Sequence, residues 1–175
     1  MSALKANPLN PHQYAYQTGK STDLALNNLV RKVDTSLKDK QIGLTAFLDI
    51  GGAFNNAIAD SLYNAATAKG INSTICDWIR TMLANRVILT SLQGEEYRFR
   101  AGRGCPQGGV LSPLLWCLLV DALIRLLTSE GIEVIAYADD LVIIVRGSSE
   151  FYVSRKLCTQ TVSYTHLTLP TKRIV

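Results

Sequence analysis

Two apolar, β-branched runs, Ile132 to Tyr137 and Leu141 to Val145, are separated by only three residues, Ala138-Asp139-Asp140. Runs of that length and composition read as paired strands, with the two aspartates side by side at a tight turn. Asp suits a turn in its own right, so turn chemistry alone is one explanation. Adjacent carboxylates repel, however, and apolar strands on both sides lower the local dielectric, so the pair needs a cation. A divalent metal would supply one.

Asp49 extends the idea. It lies near the end of Thr45-Ala46-Phe47-Leu48-Asp49-Ile50, within a buried strand expected over Leu44 to Ile50, where an unpaired carboxylate is costly. A core aspartate is commonly a satisfied cap or a salt-bridge partner. A carboxylate on one strand facing a pair on a neighbouring hairpin is also what two Mg²⁺ ions require, since Mg²⁺ takes oxygen ligands and binds phosphates alongside them. Such ions activate a hydroxyl and stabilise a leaving pyrophosphate in an in-line displacement. Gly51-Gly52 follows at once and lets the chain turn sharply.

A third segment, Gly104-Cys105-Pro106-Gln107-Gly108-Gly109-Val110-Leu111-Ser112-Pro113, is glycine-rich and opens an apolar helix, with Ser112 as cap and Pro113 at the first helical position. It matches neither a dinucleotide fingerprint nor a P-loop. Amides at a helix start hold anions, and Gln107 can reach a base or sugar. A plain loop-to-helix entry accounts for the segment equally well, and its residues alone leave both readings open.

The remaining pattern is helices interleaved with paired strands, an α+β chain. Ser21 or Thr22 caps a helix whose Leu26, Leu29, Val30, Val33 and Leu37 form one stripe. A helix from about Asp60 to Lys69 stops at Gly70, and another starts at Asn72 or Ser73 with Ile75, Trp78, Ile79 and Met82 at helical spacing. Val87-Leu89-Ser91 and Tyr97-Phe99 flank Gln93-Gly94, which predicts a hairpin with its arginines on the exposed side. Residues 1–19 are polar and irregular. At 175 residues, 47% apolar and 18% charged, the chain is globular and has the size of one domain.

Net charge says little about partners. The formal +4 comes from Arg155, Lys156, Lys172 and Arg173, and without them basic and acidic residues balance at 14 each. Locally, Arg80, Arg86, Arg98, Arg100 and Arg103 crowd one stretch against only Glu95 and Glu96. They suit a phosphate backbone or an ordinary solvated hairpin. Cys76, Cys105, Cys117 and Cys158 lack CxxC spacing, so neither zinc nor a disulfide framework is implied, and Cys117 reads as a buried thiol. The N-terminus has no signal-peptide core, and Ser112, Pro113, Asp121 and Arg125 interrupt the run from Val110 to Leu127. The expectation is an intracellular protein, in cytoplasm or nucleus, with no membrane partner.

The three motif segments, in this order, resemble the reverse transcriptase family. Phe47-Leu48-Asp49-Ile50-Gly51-Gly52-Ala53-Phe54-Asn55-Asn56 looks like its first catalytic motif, Gly104 to Pro113 like its Pro-Gln-Gly motif, and Tyr137-Ala138-Asp139-Asp140 like its two-aspartate box. Upstream, Ala15-Tyr16-Gln17-Thr18-Gly19-Lys20-Ser21-Thr22 resembles a finger segment. The wording is closest to retrotransposons lacking long terminal repeats, and the match spans roughly residues 13–147.

The resemblance implies a polymerase palm with partial fingers, a right-hand polymerase fold truncated before the thumb, with fingers and palm over 20–150. It implies nucleotidyl transfer from deoxynucleoside triphosphates to a DNA primer 3′-hydroxyl on an RNA template, with two Mg²⁺ ions, or Mn²⁺, as cofactor. Asp49, Asp139 and Asp140 would be the catalytic and metal-binding carboxylates, and Ile50 belongs with both the metal and substrate sites. Phe54 would lie under the sugar and exclude a 2′-hydroxyl, although a core aromatic is as natural a reading. Gln107 and Gly108 would line the nucleotide and template pocket, Tyr137 would sit beside the primer end, and Lys20 would touch template or phosphate.

Two positions depart from the family pattern: Gly51 replaces a charged or polar residue, and Asn55 often appears as Asp. Residues 151–175 read as a truncated C-terminal segment. Within it, Ser163 to Val175, with Thr165-His166-Leu167-Thr168-Leu169-Pro170, resembles translated adapter sequence and is expected to be artefactual. A palm-type RNA polymerase shares the carboxylate logic, but Phe54 favours a DNA product. A group II intron maturase and a catalytically inactive remnant that at most binds nucleic acid are the alternatives.

Overall fold

The computed structural model describes residues 2–168 and 173–174, with side chains described for residues 3–159. The chain falls into two compact units, where its length had suggested one.

The unit of residues 9–52 and 120–175 is built on a sheet. Helix α2 (Thr22–Lys38) starts as predicted, with the Ser21 side chain accepting from the Leu24 amide. Strand β1 (Ile42–Asp49) follows, two residues longer at its start than the sequence suggested and ending at Asp49. Strands β4 (Glu133–Tyr137) and β5 (Asp140–Gly147) form the predicted hairpin. The sheet order is β4-β5-β1-β6 with antiparallel pairing throughout, the edge strand β6 being Arg173–Ile174. Beyond β4, Gln13 adds a parallel bridge to Ala136. Ala46, Leu48, Leu141, Ile143 and Val145 are buried on one face of the sheet. On the other, Ala25 of α2 packs with Ile135 and Ile144, joined by Tyr14, Leu29 and Val142.

Helix α7 (Glu150–Thr168) was not legible in the sequence, and its Val153 seals against the sheet. The backbone of the stretch set aside as artefactual joins the fold through α7 and β6, while residues 169–172 lie outside the described residues.

The unit of residues 1–8 and 53–119 is mainly helical. It holds α1 (Ser2–Ala6), a short helix where an irregular start was expected, then α3 (Ala53–Asn56), α4 (Ala59–Ala68) and α5 (Ser73–Ala84). Gly70, at φ +74°, follows the end of α4, and the Asn72 side chain caps α5. Strands β2 (Val87–Leu92) and β3 (Glu95–Arg100) pair across Gln93-Gly94, both at positive φ as a two-residue turn demands.

Helix α6 (Ser112–Ser129) has residues in both units. It meets a length and composition criterion for crossing a membrane, yet Leu115, Trp116, Leu118, Val120, Ile124 and Leu127 are all buried in protein. Asp121, buried in this helix, accepts from the Asn10 amide and pairs with Arg125 at 2.7 Å. The expected Ser112 cap is not what forms. Its hydroxyl donates to the Pro106 carbonyl at 2.5 Å, and the Leu115 amide bonds the Leu111 carbonyl one position earlier.

Candidate active site

The β1–β5 register places Asp49 directly opposite Asp140, and the β4–β5 hairpin turns through Ala138-Asp139. Ala138 takes φ +54°, which tightens that turn. The Ile50 amide bonds the Asp139 carbonyl at 3.3 Å, tying the end of β1 to the turn. Asp49 and the adjacent pair Asp139-Asp140, distant in sequence, thus share one end of the sheet. Asp49 and Asp140 are exposed and Asp139 half-buried. Next to them, a cavity of about 410 Å³ is lined by Ala25, Leu29, Phe47 and Tyr137 together with Asp49 and Asp140.

Burial, then the charges of Asp139 and Asp49, push the Asp140 carboxyl above its ordinary value. Among the described side chains, none of the three carboxylates forms an ion pair. Carboxylate oxygens are hard donors of the kind Mg²⁺ takes, so the donor chemistry fits. The geometry is less complete: among the described residues, no three or more Asp, Glu, His or Cys side chains are grouped to hold a metal ion. Ile50 has an apolar side chain, so only its main-chain carbonyl could serve as a ligand.

Phe54, Gln107 and Gly108 belong to the other compact unit. There the Pro-Gln-Gly loop is stitched to α3: Cys105 donates to the Phe54 carbonyl at 2.6 Å and Gly104 to that of Ala57 at 2.7 Å. Gln107 Nε2 reaches Asn55 Oδ1 at 3.4 Å. Gly108 is at φ +80°. The half-buried Phe54 ring lies 5.3 Å from that of Trp116, between centroids. The loop therefore brings Gln107 to Asn55 and Cys105 to the Phe54 backbone. Cys105 is buried, which pushes its thiol up despite the nearby Arg86.

Lys20 is engaged within the chain. Its Nζ donates to the carbonyls of Pro11 and Gln13, at 2.5 and 2.7 Å, and lies 5.0 Å from the Tyr14 ring centroid. It clamps the segment that pairs with β4. Sequence reasoning missed Arg86, whose guanidinium donates to the carbonyls of Leu83, Arg103 and Gly104 at 3.3, 2.9 and 2.5 Å. Its only signal was membership of the arginine cluster.

A reverse transcriptase (RNA-dependent DNA polymerase) family model matches residues 1–174. The chain belongs to the reverse transcriptase family. It is 30% identical over 142 residues to the retrovirus-related Pol polyprotein of the type-1 retrotransposable element R1 of Bradysia coprophila, across 81% of this chain and 14% of that one. It is 35% identical over 109 residues to that of the type-2 element R2DM of Drosophila melanogaster, across 56% of this chain and 10% of that one. The chain thus spans about 14% of the length of the first of these relatives.

The fold is shared with telomerase of Candida tropicalis, solved with a fragment of telomeric RNA. The TM-score is 0.73 at 12% identity, over 99% of this chain and 32% of that one. An apo, truncated form of the same enzyme gives 0.65 at 14% identity, over 94% and 35%. This reverse transcriptase chain accordingly has the right-hand polymerase fold.

Proposed function

We propose that this chain supplies the catalytic carboxylates of an RNA-directed DNA polymerase of a retrotransposon without long terminal repeats. The reaction is transfer of deoxynucleotides to a DNA primer 3′-hydroxyl on an RNA template. The observation that carries the reading is the cross-strand pairing of Asp49 with Asp140 beside the Asp139 turn, in a member of the reverse transcriptase family.

Asp49, Asp139, Asp140 and the Ile50 carbonyl would hold Mg²⁺ or Mn²⁺, which when bound supplies activation of the primer hydroxyl and stabilisation of the leaving pyrophosphate. The protein's own part is positioning. Phe54, whose ring packs 5.3 Å from that of Trp116 between centroids, would exclude a 2′-hydroxyl. Gln107 and Gly108 line the nucleotide and template pocket, and Tyr137 borders the primer end.

Primer extension on an RNA template, by a longer polypeptide containing this chain, tests the reading. Asp139→Asn is expected to abolish synthesis, and synthesis surviving that change would refute it. The 175-residue chain alone is expected to extend a primer little or not at all. Among the described residues no three metal-ligating side chains are grouped, and the competing reading is an inactive remnant that at most binds nucleic acid. Manganese spin resonance on the chain separates the two. Binding lost in Asp139→Asn supports the polymerase site, and no binding supports the remnant.

A further inference from the structure

The two strands of the β2–β3 hairpin have edges of unlike composition. Each strand has one side that no further strand covers among the described residues, and every residue of both is exposed, Leu89 at 67%. Strand β2, Val-Ile-Leu-Thr-Ser-Leu, carries no charge, whereas Glu95, Glu96, Arg98 and Arg100 make most of β3 charged. Charged side chains guard an edge strand against pairing with another chain, and an exposed, uncharged, apolar edge is open to it.

The register decides which backbone groups face the open side. A two-residue turn at Gln93-Gly94 makes Leu92 and Glu95 a hydrogen-bonded pair, and bonded and non-bonded pairs then alternate along the antiparallel ladder. Thr90 with Tyr97 and Ile88 with Phe99 are thus the other bonded pairs. The Ala101 amide, 3.0 Å from the Arg86 carbonyl, keeps the same phase at the root. Val87, Leu89 and Ser91 fall in the non-bonded pairs, so their amides and carbonyls point away from β3.

We propose that a second copy of this chain pairs with the open edge of β2, antiparallel and about a twofold axis at Leu89. The product is a four-stranded sheet in the order β3-β2-β2-β3. That axis sets Leu89 opposite Leu89 and Val87 opposite Ser91 of the second copy, so all three outward residues of each chain enter bonded pairs. It also sets Ile88 opposite Thr90 of the second copy. A row on that face then runs Phe99, Ile88, Thr90, Tyr97 across the four strands, an aromatic ring beside a β-branched side chain at each end. An uncharged strand adds no repulsion against its own copy. The arginines of the two β3 strands stand three strand spacings apart, about 14 Å, beyond the screening length of about 10 Å at 0.1 M salt. This self-complementarity selects a second copy over a foreign strand. The inference does not rest on the polymerase reading.

Sedimentation equilibrium and amide exchange by NMR, each over a concentration series of the full chain, test it. Both are run in a Val30→Glu, Leu37→Glu background, which removes exposed apolar side chains of α2 as a second source of association. A dimer is expected, with exchange at Leu89 and Ser91 slowing as concentration rises. Exchange at Ile88 and Thr90, already bonded within the hairpin, should change less. Leu89→Lys should weaken the dimer about tenfold or more, because the change acts twice at the axis. Leu89→Pro removes an outward amide and no bond within the hairpin, so it should leave the chain monomeric with its urea midpoint unchanged. Mixing Leu89→Lys chains with Leu89→Glu chains should restore a dimer, a gain that misfolding cannot produce. A chain that stays monomeric up to about 1 mM overturns the proposal. So does a dimer that forms without protection at Leu89 and Ser91, or one that Leu89→Pro leaves intact, since either marks a different interface.

Discussion

Glu133 joins three elements, accepting hydrogen bonds from Lys32 of α2 and Arg146 of β5. Burial pushes its carboxyl up, but the hydrogen bonds and charges of Lys32 and Arg146 outweigh it and hold the group below its ordinary 4.5. The unfolded chain then takes up this proton at higher pH than the folded one. The stabilisation is complete above 4.5 and is lost as pH falls through the lowered value. His12 adds an earlier step of the same sign. Burial, then Lys32 and Lys20, lower it from 6.5 against an opposing effect of Glu133, so stability also declines as pH drops below 6.5. Glu133→Gln should cost about 1–2 kcal/mol at neutral pH, less than a fully buried pair because all three side chains keep some water contact. It should erase the lower step in urea titrations and keep the upper one; an unchanged acid limb would refute the assignment. None of this was legible, because Lys32 and Arg146 lie 101 and 13 residues from Glu133. The β4–β5 hairpin was legible because its turn and its strands are local, although Asp140 opens β5 and does not lie in the turn.

Among elements, the Pro-Gln-Gly loop depends on one close approach. A Cβ at Gly104 would lie 2.8 Å from the Asn55 carbonyl oxygen, and φ there is +95°, so the site excludes a side chain on two grounds. Gly104→Ala should destabilise the chain by about 2 kcal/mol or more and loosen the Gln107–Asn55 contact. Amide exchange at Gly104 and Cys105, which donate to Ala57 and Phe54, would report it. Protection unchanged from the unaltered chain would show that the loop can move aside. The sequence showed a glycine-rich entry but could not single out Gly104, since the constraint comes from a backbone about fifty residues away. Caps and turns were readable at Ser21, Asn72 and Gln93-Gly94 because each satisfies backbone groups within a few residues. Helix α7 was not: Val153 is buried while neighbouring Phe151 and Tyr152 are exposed, so its apolar residues do not mark one face.

At the scale of the whole molecule, hydrophobic pattern located the elements better than it located the core. The sequence groups Leu26, Leu29, Val30, Val33 and Leu37 of α2 on one stripe, yet Ala25 and Ser36 are the buried residues of the helix, and Leu26, Val30, Val33 and Leu37 are exposed. Periodicity shows that a helix has an apolar side. It does not say whether these 175 residues cover it. Val30, 56% exposed, and Leu37, 68% exposed, therefore add little to the folding of this chain. Val30→Glu with Leu37→Glu should change its urea midpoint by less than the equivalent of about 1 kcal/mol in total, the scale of two surface substitutions. A contiguous apolar stripe in water favours self-association, so the same variant should stay monodisperse in light scattering at concentrations where the unaltered chain clusters. A large loss of stability would instead mean that the stripe is covered in solution.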